Sequence, residues 1–526
     1  MVLQFDPRYL TSIALVGFVG LLVVLYNNLV VKPKRIRSKL SNQGINGPTP
    51  TFLLGNIREI MNACQLIITT TSKSPSSVVE VPHVHDTCPL TFPYLNIWKQ
   101  KYGQMFLFSI GNNQILYVDK PEVVRDIVTC TSMDLGKPTY TNRELRPLLG
   151  RGILSSNGTT WAGQRKILAP EFYMEKVKEM MSIMGEYATS LLNQWNSIIE
   201  AQNGNADIKV DDYLVKFSGD VISRACFGRD YFKGQEIFSK LIALQEILSK
   251  NSLSVMIPGM RCLPTKDNRE AKALEKELKN YILQLVKQRE ESPHHHNRDL
   301  LQMLLESTKN SDLTQHAIQT FIADNCKNIY FAGYETTAIS MAWCLMLLAS
   351  NQEWQDRVRT EALEICNGRI PDYHMLTKMK QLTMVIHETL RLYPPAPLIA
   401  KEALKEMKLG NINVPKGVTI WAMTLTSHTD PELWGSDAYK FKPERFVNGV
   451  SGACKLPHMY MPFGFGLRSC LGRDLAMTEF KMLLSLILCN FSFTLSSNYV
   501  HSPALKLLMV PKHGVHLLVK KLSTTP

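Results

Sequence analysis

The sequence lacks the cysteine spacing of a disulfide framework or of a zinc site. Its eleven cysteines include no Cys-x-x-Cys pair, and an odd, scattered set is typical of a reducing compartment with mostly buried free thiols. One motif begins like the His-Glu-x-x-His motif of zinc proteases but lacks its second zinc ligand. Arg391 follows His387-Glu388 at the position where the second histidine is required. The pattern argues against both a disulfide-stabilised domain and a zinc enzyme.

Acidic residues are missing between Asp6 and Glu59. Within that span residues 13–31 are almost entirely apolar, which is long enough to cross a bilayer core of about 30 Å. Five basic residues follow at once: Lys32, Lys34, Arg35, Arg37 and Lys39. Because basic residues stay on the cytoplasmic face, we expect a retained single-pass anchor with the rest of the chain in the cytosol. A cleaved signal peptide is the alternative, but its charges would precede the apolar run and a cleavage site would follow it.

A dinucleotide-binding loop and a nucleic-acid interface are also lacking. The closest approach to Gly-x-Gly-x-x-Gly begins at Gly464 and Gly466, but Ser469 takes the place of the third glycine. The net charge of +13 is not arranged as a basic stripe interleaved with aromatic residues, and its densest part adjoins the apolar segment. We therefore expect a membrane surface or an acidic protein as partner, and no nucleic acid.

Composition divides the chain into three parts. Residues 1–31 form the expected anchor, residues 32–56 a basic and proline-containing hinge, and residues 57–526 one large domain. Residues 69–93 are rich in Ser, Thr, Pro and Val and predict a surface insertion, so His83 and His85 within it are interpreted as solvated. The run at residues 294–296, three consecutive histidines, is interpreted as a solvated turn because no carboxylate stands at helical spacing.

Helical periodicity dominates the large domain, so the predicted fold class is mainly α with a minor β region. The longest predicted helix runs from Leu313 to Ser350, a stretch without proline. Asp324, Lys327 and Glu335 lie inside it and exclude a second membrane span. Other predicted elements are helices at 176–196, 270–291 and 471–488, and strands at 105–118 and 505–519.

The segment from Met461 to Ala476 has the features of a thiolate ligand loop. Its three glycines let the backbone turn tightly and lie close to a flat, bulky group. Phe463 can shield the sulfur of Cys470 from water, and Arg468 supplies a positive charge. The free N–H groups of the helix that follows also favour a negative sulfur. A free cysteine buried as a small apolar residue is the alternative reading.

Six residues of this segment fill every fixed position of the haem-binding signature Phe-x-x-Gly-x-Arg-x-Cys-x-Gly-x-x-x-Ala: Phe463, Gly466, Arg468, Cys470, Gly472 and Ala476. The chain therefore resembles a cytochrome P-450. The resemblance implies a haem b whose iron is bound by the Cys470 thiolate, a ligand that promotes O–O cleavage. Phe463, Gly464 and Arg468 become cofactor-binding candidates. The implied fold is the cytochrome P-450 fold with one N-terminal transmembrane helix.

Trp161 and Arg165 are four residues apart and share one helical face, so both can reach the same anionic group. In the family's Trp-x-x-x-Arg pattern these side chains donate to the haem propionates, and the resemblance makes both cofactor-binding candidates. Lys401 stands where some relatives place a further propionate-binding arginine. A lysine is a point charge rather than a planar fork, so the contact of Lys401 is left open.

The long predicted helix contains the run Ala332-Gly333-Tyr334-Glu335-Thr336-Thr337. Glycine and threonine weaken a helix and predict a kink with a groove beside it, and an acid next to a hydroxyl can relay protons. The run is similar to the family's Ala/Gly-Gly-x-Asp/Glu-Thr-Thr/Ser motif over the haem. By that resemblance Thr336 contacts dioxygen and Glu335 supports proton delivery, as the two catalytic candidates.

Glu388 and Arg391 lie three apart on one helical face, and Arg445 follows in Pro443-Glu444-Arg445-Phe446. These residues match the family's Glu-x-x-Arg helix and its Pro-Glu-Arg-Phe partner. The resemblance implies a buried ion network that steadies the fold behind the haem, so we interpret them as structural.

The resemblance implies monooxygenation of a small hydrophobic substrate with dioxygen, and electrons from an NADPH-dependent reductase at the endoplasmic reticulum membrane. The phrases at residues 257–266 and 150–154 are similar to a plant clan that oxidises terpenoids and hormones. A gibberellin or related diterpenoid acid is the expected substrate, with triterpenoid or other plant hormone oxidation as the alternative. Two further alternatives are a haem carrier or electron-transfer protein, and isomerase or dehydratase chemistry on a preformed peroxide.

Overall fold

The computed structural model describes residues 7–71, 84–228, 231–250, 260, 263–291, 299–309 and 314–522. Three features of the sequence lie wholly or partly outside these residues: residues 72–83 of the expected surface insertion, with His83, the histidine run at 294–296, and residues 257–259 and 261–262 of the phrase at 257–266.

Helices dominate the described residues and confirm the predicted fold class. Their bounds are α1 Pro7–Tyr26, α2 Lys32–Ser41, α3 Ile57–Thr71, α4 Cys88–Thr91, α5 Pro93–Tyr102, α6 Pro121–Thr129, α7 Thr139–Glu144, α8 Arg146–Leu149, α9 Gly158–Leu168, α10 Met174–Glu179, α11 Met181–Ala201, α12 Val210–Phe227, α13 Tyr231–Lys250, α14 Lys266–Glu291, α15 Leu300–Thr308, α16 Gln315–Ser350, α17 Gln352–Cys366, α18 Tyr373–Lys378, α19 Lys380–Leu392, α20 Thr424–Thr429, α21 Pro431–Trp434, α22 Gly449–Ala453 and α23 Arg473–Asn490.

The minor β region is split among four small sheets. The strands are β1 Met105–Ile110, β2 Asn113–Val118, β3 Leu135–Gly136, β4 Asn205–Lys209, β5 Ile399–Ala403, β6 Met407–Leu409, β7 Ile412–Val414, β8 Thr419–Ala422, β9 Phe491–Leu495, β10 Pro503–Leu505, β11 Met509–Pro511 and β12 His516–Lys521. The largest sheet has the order β1-β2-β8-β5-β3, with β2 and β8 parallel and the other pairs antiparallel. Both predicted strand regions are therefore confirmed.

The N-terminal helix has the character of a membrane anchor. Residues Ser12–Ser41 are long and apolar enough to cross a bilayer, and none of the most apolar window is buried against the protein. A π-helical turn, Asn27–Val31, joins α1 to α2. The helix therefore continues past residue 31 and first meets the domain at Ile36 and Leu40, which are buried. An apolar helix without a protein partner is stable only in a lipid or other apolar environment.

Helix α16 forms the centre of the main core. It begins where the Thr314 hydroxyl accepts a hydrogen bond from the Ala317 N–H (3.3 Å), which satisfies one of the free donors of the first turn. It is also apolar enough to span a membrane, but most of it is buried inside the protein, so it is a core helix. Its Trp343 is fully buried and stacks on Tyr393 with ring centroids 4.4 Å apart.

Two predictions from the sequence are wrong in detail. The helix predicted at 176–196 is two helices, α10 and α11, which meet at Met180. The expected surface insertion ends in packed structure, because Phe92 is buried and α4 precedes it. His85 is 4% exposed, and its Nδ1 lies 2.8 Å from the hydroxyl of Tyr393. His85 is therefore a buried, hydrogen-bonded residue and not a solvated one.

Candidate active site

A cavity of about 420 Å³ lies between the middle of α16 and the loop that carries Cys470. Its wall from α16 includes Ala332, Gly333 and Thr336, and its opposite wall includes Phe463 and Cys470. The lining is mainly apolar, and a cavity of this size and character is typical of a cofactor or substrate site. The fold thus brings the two predicted motifs, far apart in sequence, into one enclosed space.

The Cys470 loop takes its shape from glycines. Gly464 and Gly466 have φ values of 68° and 66°, which favour glycine, and a Cβ on Gly466 would lie 2.4 Å from the Val128 carbonyl oxygen. The Cys470 N–H donates to the Phe463 carbonyl (2.8 Å), which closes the loop. Cys470 lines the cavity and is accessible. The loop is therefore built to present this sulfur to the cavity.

The charge beside this sulfur comes from a different arginine than the sequence indicates. Burial raises the pKa of the Cys470 thiol, and the Gly472 N–H and the charge of Arg165 oppose that rise. Arg468 instead donates to the Ser156 carbonyl (3.1 Å) and to Asn157 Oδ1 (3.0 Å). The protein alone does not favour a thiolate here, whereas a bound metal ion deprotonates a coordinating thiol outright.

Trp161 lies between the two predicted arginines. The guanidinium carbon of Arg468 is 4.2 Å from the Trp161 ring centroid, and that of Arg165 is 5.8 Å from it. Arg165 also donates to the Ser469 carbonyl (2.9 Å), so helix α9 is tied to the Cys470 loop. The structure therefore brings together all three side chains that the sequence singled out for an anionic group.

Two lysines extend this cationic wall. Burial and the nearby charge of Arg468 lower the pKa of Lys137 to about 8. Burial and the charges of Lys137 and Arg468 lower the pKa of Lys401 to about 7. Both lysines line the cavity, as do Arg165 and Arg468. Lys401 thus does reach the site, whereas Lys137 was missed because nothing in its local sequence distinguishes it.

The four basic side chains favour an anionic ligand. Among the described residues none of them forms an ion pair with a carboxylate, and enclosed charges without counter-ions are costly. A flat group that carries two carboxylates on one edge would neutralise this wall while its apolar part fills the cavity. The cysteine, the glycine loop and the unpaired cations therefore fit a haem with its two propionates.

The hydroxyl and the acid predicted on the long helix, Thr336 and Glu335, have different surroundings. Thr336 lines the cavity, and its hydroxyl donates back to the Ala332 carbonyl (2.7 Å), as expected. Helix α16 is continuous through this run, and the kink stays a prediction. Gly333 has a different role: a Cβ there would lie 2.6 Å from a side-chain carbon of Ile222, so glycine permits the close approach of α12.

Glu335 faces away from the cavity. Its Oε1 accepts a hydrogen bond from the Gln245 amide on α13, and its Oε2 has no partner among the described residues. Burial raises the pKa of Glu335 to about 7, opposed by the Gln245 hydrogen bond and by the charge of Lys506. The carboxyl group is therefore about half protonated near neutral pH.

A second acid, Glu479, lines the cavity and was missed from the sequence. It is 2% exposed, and burial raises its pKa to about 8. The available signal was an acidic residue within an otherwise apolar helix. A carboxyl group can be buried there only if it is paired with a cation or uncharged, so such a residue is unusual.

The predicted ion network behind the site is present. Glu388 and Arg391 are fully buried, and Arg391 Nε and Nη2 donate to the carboxylate at 2.7 and 2.8 Å. Arg445 Nε lies 3.5 Å from Glu388 Oε1, and the Lys442 N–H donates to the same oxygen (2.8 Å). These residues lie outside the cavity lining, as expected of structural residues.

Comparison with known proteins agrees with this geometry. The family model for Cytochrome P450 matches residues 90–519. The chain is 48% identical to Cytochrome P450 714C2 of Oryza sativa subsp. japonica, with 95% of each chain covered. It is 44% identical to Cytochrome P450 714B3 of Zea mays (98% and 97% covered) and 41% identical to Cytochrome P450 714A2 of Arabidopsis thaliana (96% and 97% covered).

Membership of this family brings a haem-iron cofactor, dioxygen, a hydrophobic substrate and a redox partner. A cysteine and an unpaired cationic wall in one cavity, together with relatives that match over nearly the whole length, lead to one conclusion: the chain belongs to the cytochrome P450 family and is a monooxygenase.

Proposed function

We propose that the protein hydroxylates or epoxidises a terpenoid-type substrate, a gibberellin or a related diterpenoid acid, with electrons from an NADPH-dependent reductase. The observation that carries the proposal is the enclosed, mainly apolar cavity that holds both Cys470 and Thr336. The plant relatives of the P450 714 series and the sequence phrases of a terpenoid-oxidising clan support this substrate class. Oxidation of a triterpenoid or another plant hormone is the second candidate, since the same apolar wall would accept it.

The proposed cofactor is haem b, which supplies the binding and reductive cleavage of dioxygen. Cys470 is the proposed iron ligand, with Phe463 and Gly464 beside it in the loop that presents the sulfur. Trp161, Arg165 and Arg468 are the proposed propionate partners, because they form the unpaired cationic wall described above.

The proposed catalytic pair is Thr336 and Glu335. Thr336 lines the cavity, and its hydroxyl would exchange its hydrogen bond to the Ala332 carbonyl for one to dioxygen bound there. Glu335, the adjacent acid, stores a proton that the hydroxyl can draw on through water. Thr336→Ala should leave haem binding intact and divert electrons into hydrogen peroxide, and an unchanged ratio of product to peroxide would contradict the role of Thr336.

The proposed arrangement in the cell follows the charge of the N-terminal segment. Residues 1–31 anchor the chain in the endoplasmic reticulum membrane, residues 32–56 form the hinge, and residues 57–526 form the haem domain on the cytosolic side. The excess of basic residues supports docking of an acidic reductase surface.

Two experiments test the proposal. The first compares the reduced, carbon monoxide-bound spectra of Cys470→Ala and of a control, Cys454→Ala, which alters a buried cysteine outside the cavity. Only the first change should abolish the red-shifted Soret band of thiolate-ligated haem. If Cys470→Ala keeps that band, Cys470 is not the ligand.

The second experiment feeds diterpenoid and triterpenoid acids to microsomes that contain the protein and its reductase, and identifies products by mass spectrometry. NADPH-dependent gain of one oxygen atom in a diterpenoid acid supports the proposal. Turnover of triterpenoids alone supports the second candidate. A product formed without NADPH would instead indicate isomerase or dehydratase chemistry, and no product with any acid would favour a haem carrier.

A further inference from the structure

Gln245 connects two neighbouring side chains of α16. Its amide oxygen accepts a hydrogen bond from the Tyr334 hydroxyl, and its amide nitrogen donates to Oε1 of Glu335. Burial strongly raises the pKa of Tyr334, so this phenol keeps its proton and acts as a donor. The hydrogen bonds therefore run in one direction, from Tyr334 through Gln245 to Glu335.

This direction decides which oxygen of Glu335 carries the proton. An oxygen that accepts from an amide N–H acts as the carbonyl oxygen of a neutral acid. Oε1 accepts from Gln245, so the proton of the neutral acid lies on Oε2. Oε2 is buried and has no protein partner among the described residues, so its O–H group is free to donate to water.

Burial favours the neutral form of Glu335, and the groups around it oppose this only in part. Tyr334 comes from its own helix, and Gln245 and the exposed Glu246 come from α13. Lys506 is the cation that acts on Glu335, and its effect is smaller than that of burial. No cation forms an ion pair with Glu335 in the described part of the chain. The group that contacts the acid is therefore the uncharged Gln245 amide, whereas a cation at the same position would favour the ionised form of Glu335.

We propose that Gln245 is a positioning residue for proton supply: oriented by Tyr334, it donates to Oε1 of Glu335, so that the proton of the neutral acid lies on the oxygen that faces away from Gln245. The proposal rests on the proposed role of Glu335 beside Thr336. It adds that a residue outside the cavity, on a different helix, determines which oxygen of the acid carries the proton.

The test places a cation or an apolar group in this position. Gln245→Lys puts a positive charge beside Glu335, and an opposite charge at this range lowers a carboxyl pKa by about 1–3 units. As pH is raised, the rate of coupled product formation should then fall at a pH at least about one unit lower than in the parent protein. The coupled rate just above neutral pH should therefore be about tenfold lower. Gln245→Leu removes the hydrogen-bond donor and should move this fall in rate to higher pH, because that hydrogen bond lowers the pKa of Glu335.

The matched control is Gln235→Lys. Gln235 lies on the same helix and also donates to a carboxylate, Asp220 Oδ1 (3.4 Å), but it is exposed and does not contact Glu335. The assay uses the full-length, haem-loaded protein with reductase in lipid vesicles and the diterpenoid acid that turns over fastest in the panel above. Product, hydrogen peroxide and the solvent isotope effect are measured across pH, after the carbon monoxide spectrum confirms intact haem ligation.

The outcomes separate the two proposals. Opposite shifts in the pH dependence of coupled product formation for Gln245→Lys and Gln245→Leu, with no shift for Gln235→Lys, support the positioning role. Shifts in the same direction, or the same profile in all three variants, overturn it. Glu335→Gln tests the role of Glu335 itself: if coupling and the pH profile are unchanged in that variant, the proposed proton supply fails, whatever Gln245 does.

Discussion

Glu388→Ala removes the one carboxylate from a fully buried pair of charges. Arg391 would lose two hydrogen bonds of 2.7 and 2.8 Å, and the Lys442 N–H would lose its acceptor. Arg391 also donates to the His428 carbonyl (2.7 Å), and the His428 ring accepts from the Met461 N–H (2.9 Å) at the start of the Cys470 loop. His428 therefore links the network to the Cys470 loop.

The cost of this substitution follows from burial. Removal of one member of a buried ion pair destabilises a protein by about 3 to 5 kcal/mol, because the remaining charge stays in a low-dielectric interior. A domain has about 5 to 15 kcal/mol of total stability, so such a loss is a large fraction of it. We expect Glu388→Ala to be recovered with little or no haem and with a markedly lower urea midpoint.

Glu444→Ala is the matched control. Glu444 also pairs with an arginine, Arg357, at 3.2 Å, but its side chain is 44% exposed. An exposed pair contributes about 0 to 1 kcal/mol, so this variant should keep its haem. Haem per polypeptide and the urea midpoint are measured for both variants. If Glu388→Ala keeps full haem and unfolds together with Glu444→Ala, burial does not make this network structural.

Three further predictions concern the cavity. Gly466→Ala should abolish haem ligation, because its φ of 66° and the space beside it admit no Cβ, whereas Gly163→Ala, in open space on α9, should be neutral or stabilising. Glu479→Gln should change the pH dependence of stability. The raised pKa of this acid makes the folded state lose stability as pH rises from the ordinary carboxyl range to about 8, a cost of about 2 kcal/mol between about pH 6 and about pH 8. Urea midpoints at the two pH values should therefore converge in the variant, and the same pH dependence as in the parent protein would contradict the assignment. Lys401→Met should speed haem transfer to apomyoglobin about fivefold, a change of about 1 kcal/mol, whereas Lys405→Met, at an exposed position, should not.

Local spacing in the sequence was sufficient to predict the features that form between neighbouring residues. The glycine positions around Cys470, the three-residue step from Glu388 to Arg391 and the long proline-free run of α16 each act within a few turns of backbone. Their geometry follows from dihedral preference and helical periodicity, which are properties of the sequence itself.

Tertiary packing decided the rest. Lys137 and Lys401 meet at one wall of the cavity, and Gln245 reaches Glu335 from a helix 90 residues away in sequence. His85, polar and flanked by turn-forming residues, is buried against Tyr393. Such contacts depend on how distant elements pack, and no local pattern encodes them. The sequence by itself therefore determined the shape of the Cys470 loop and the family signature within it, whereas only the folded chain determined which charges surround the cavity and where the acid beside Thr336 points.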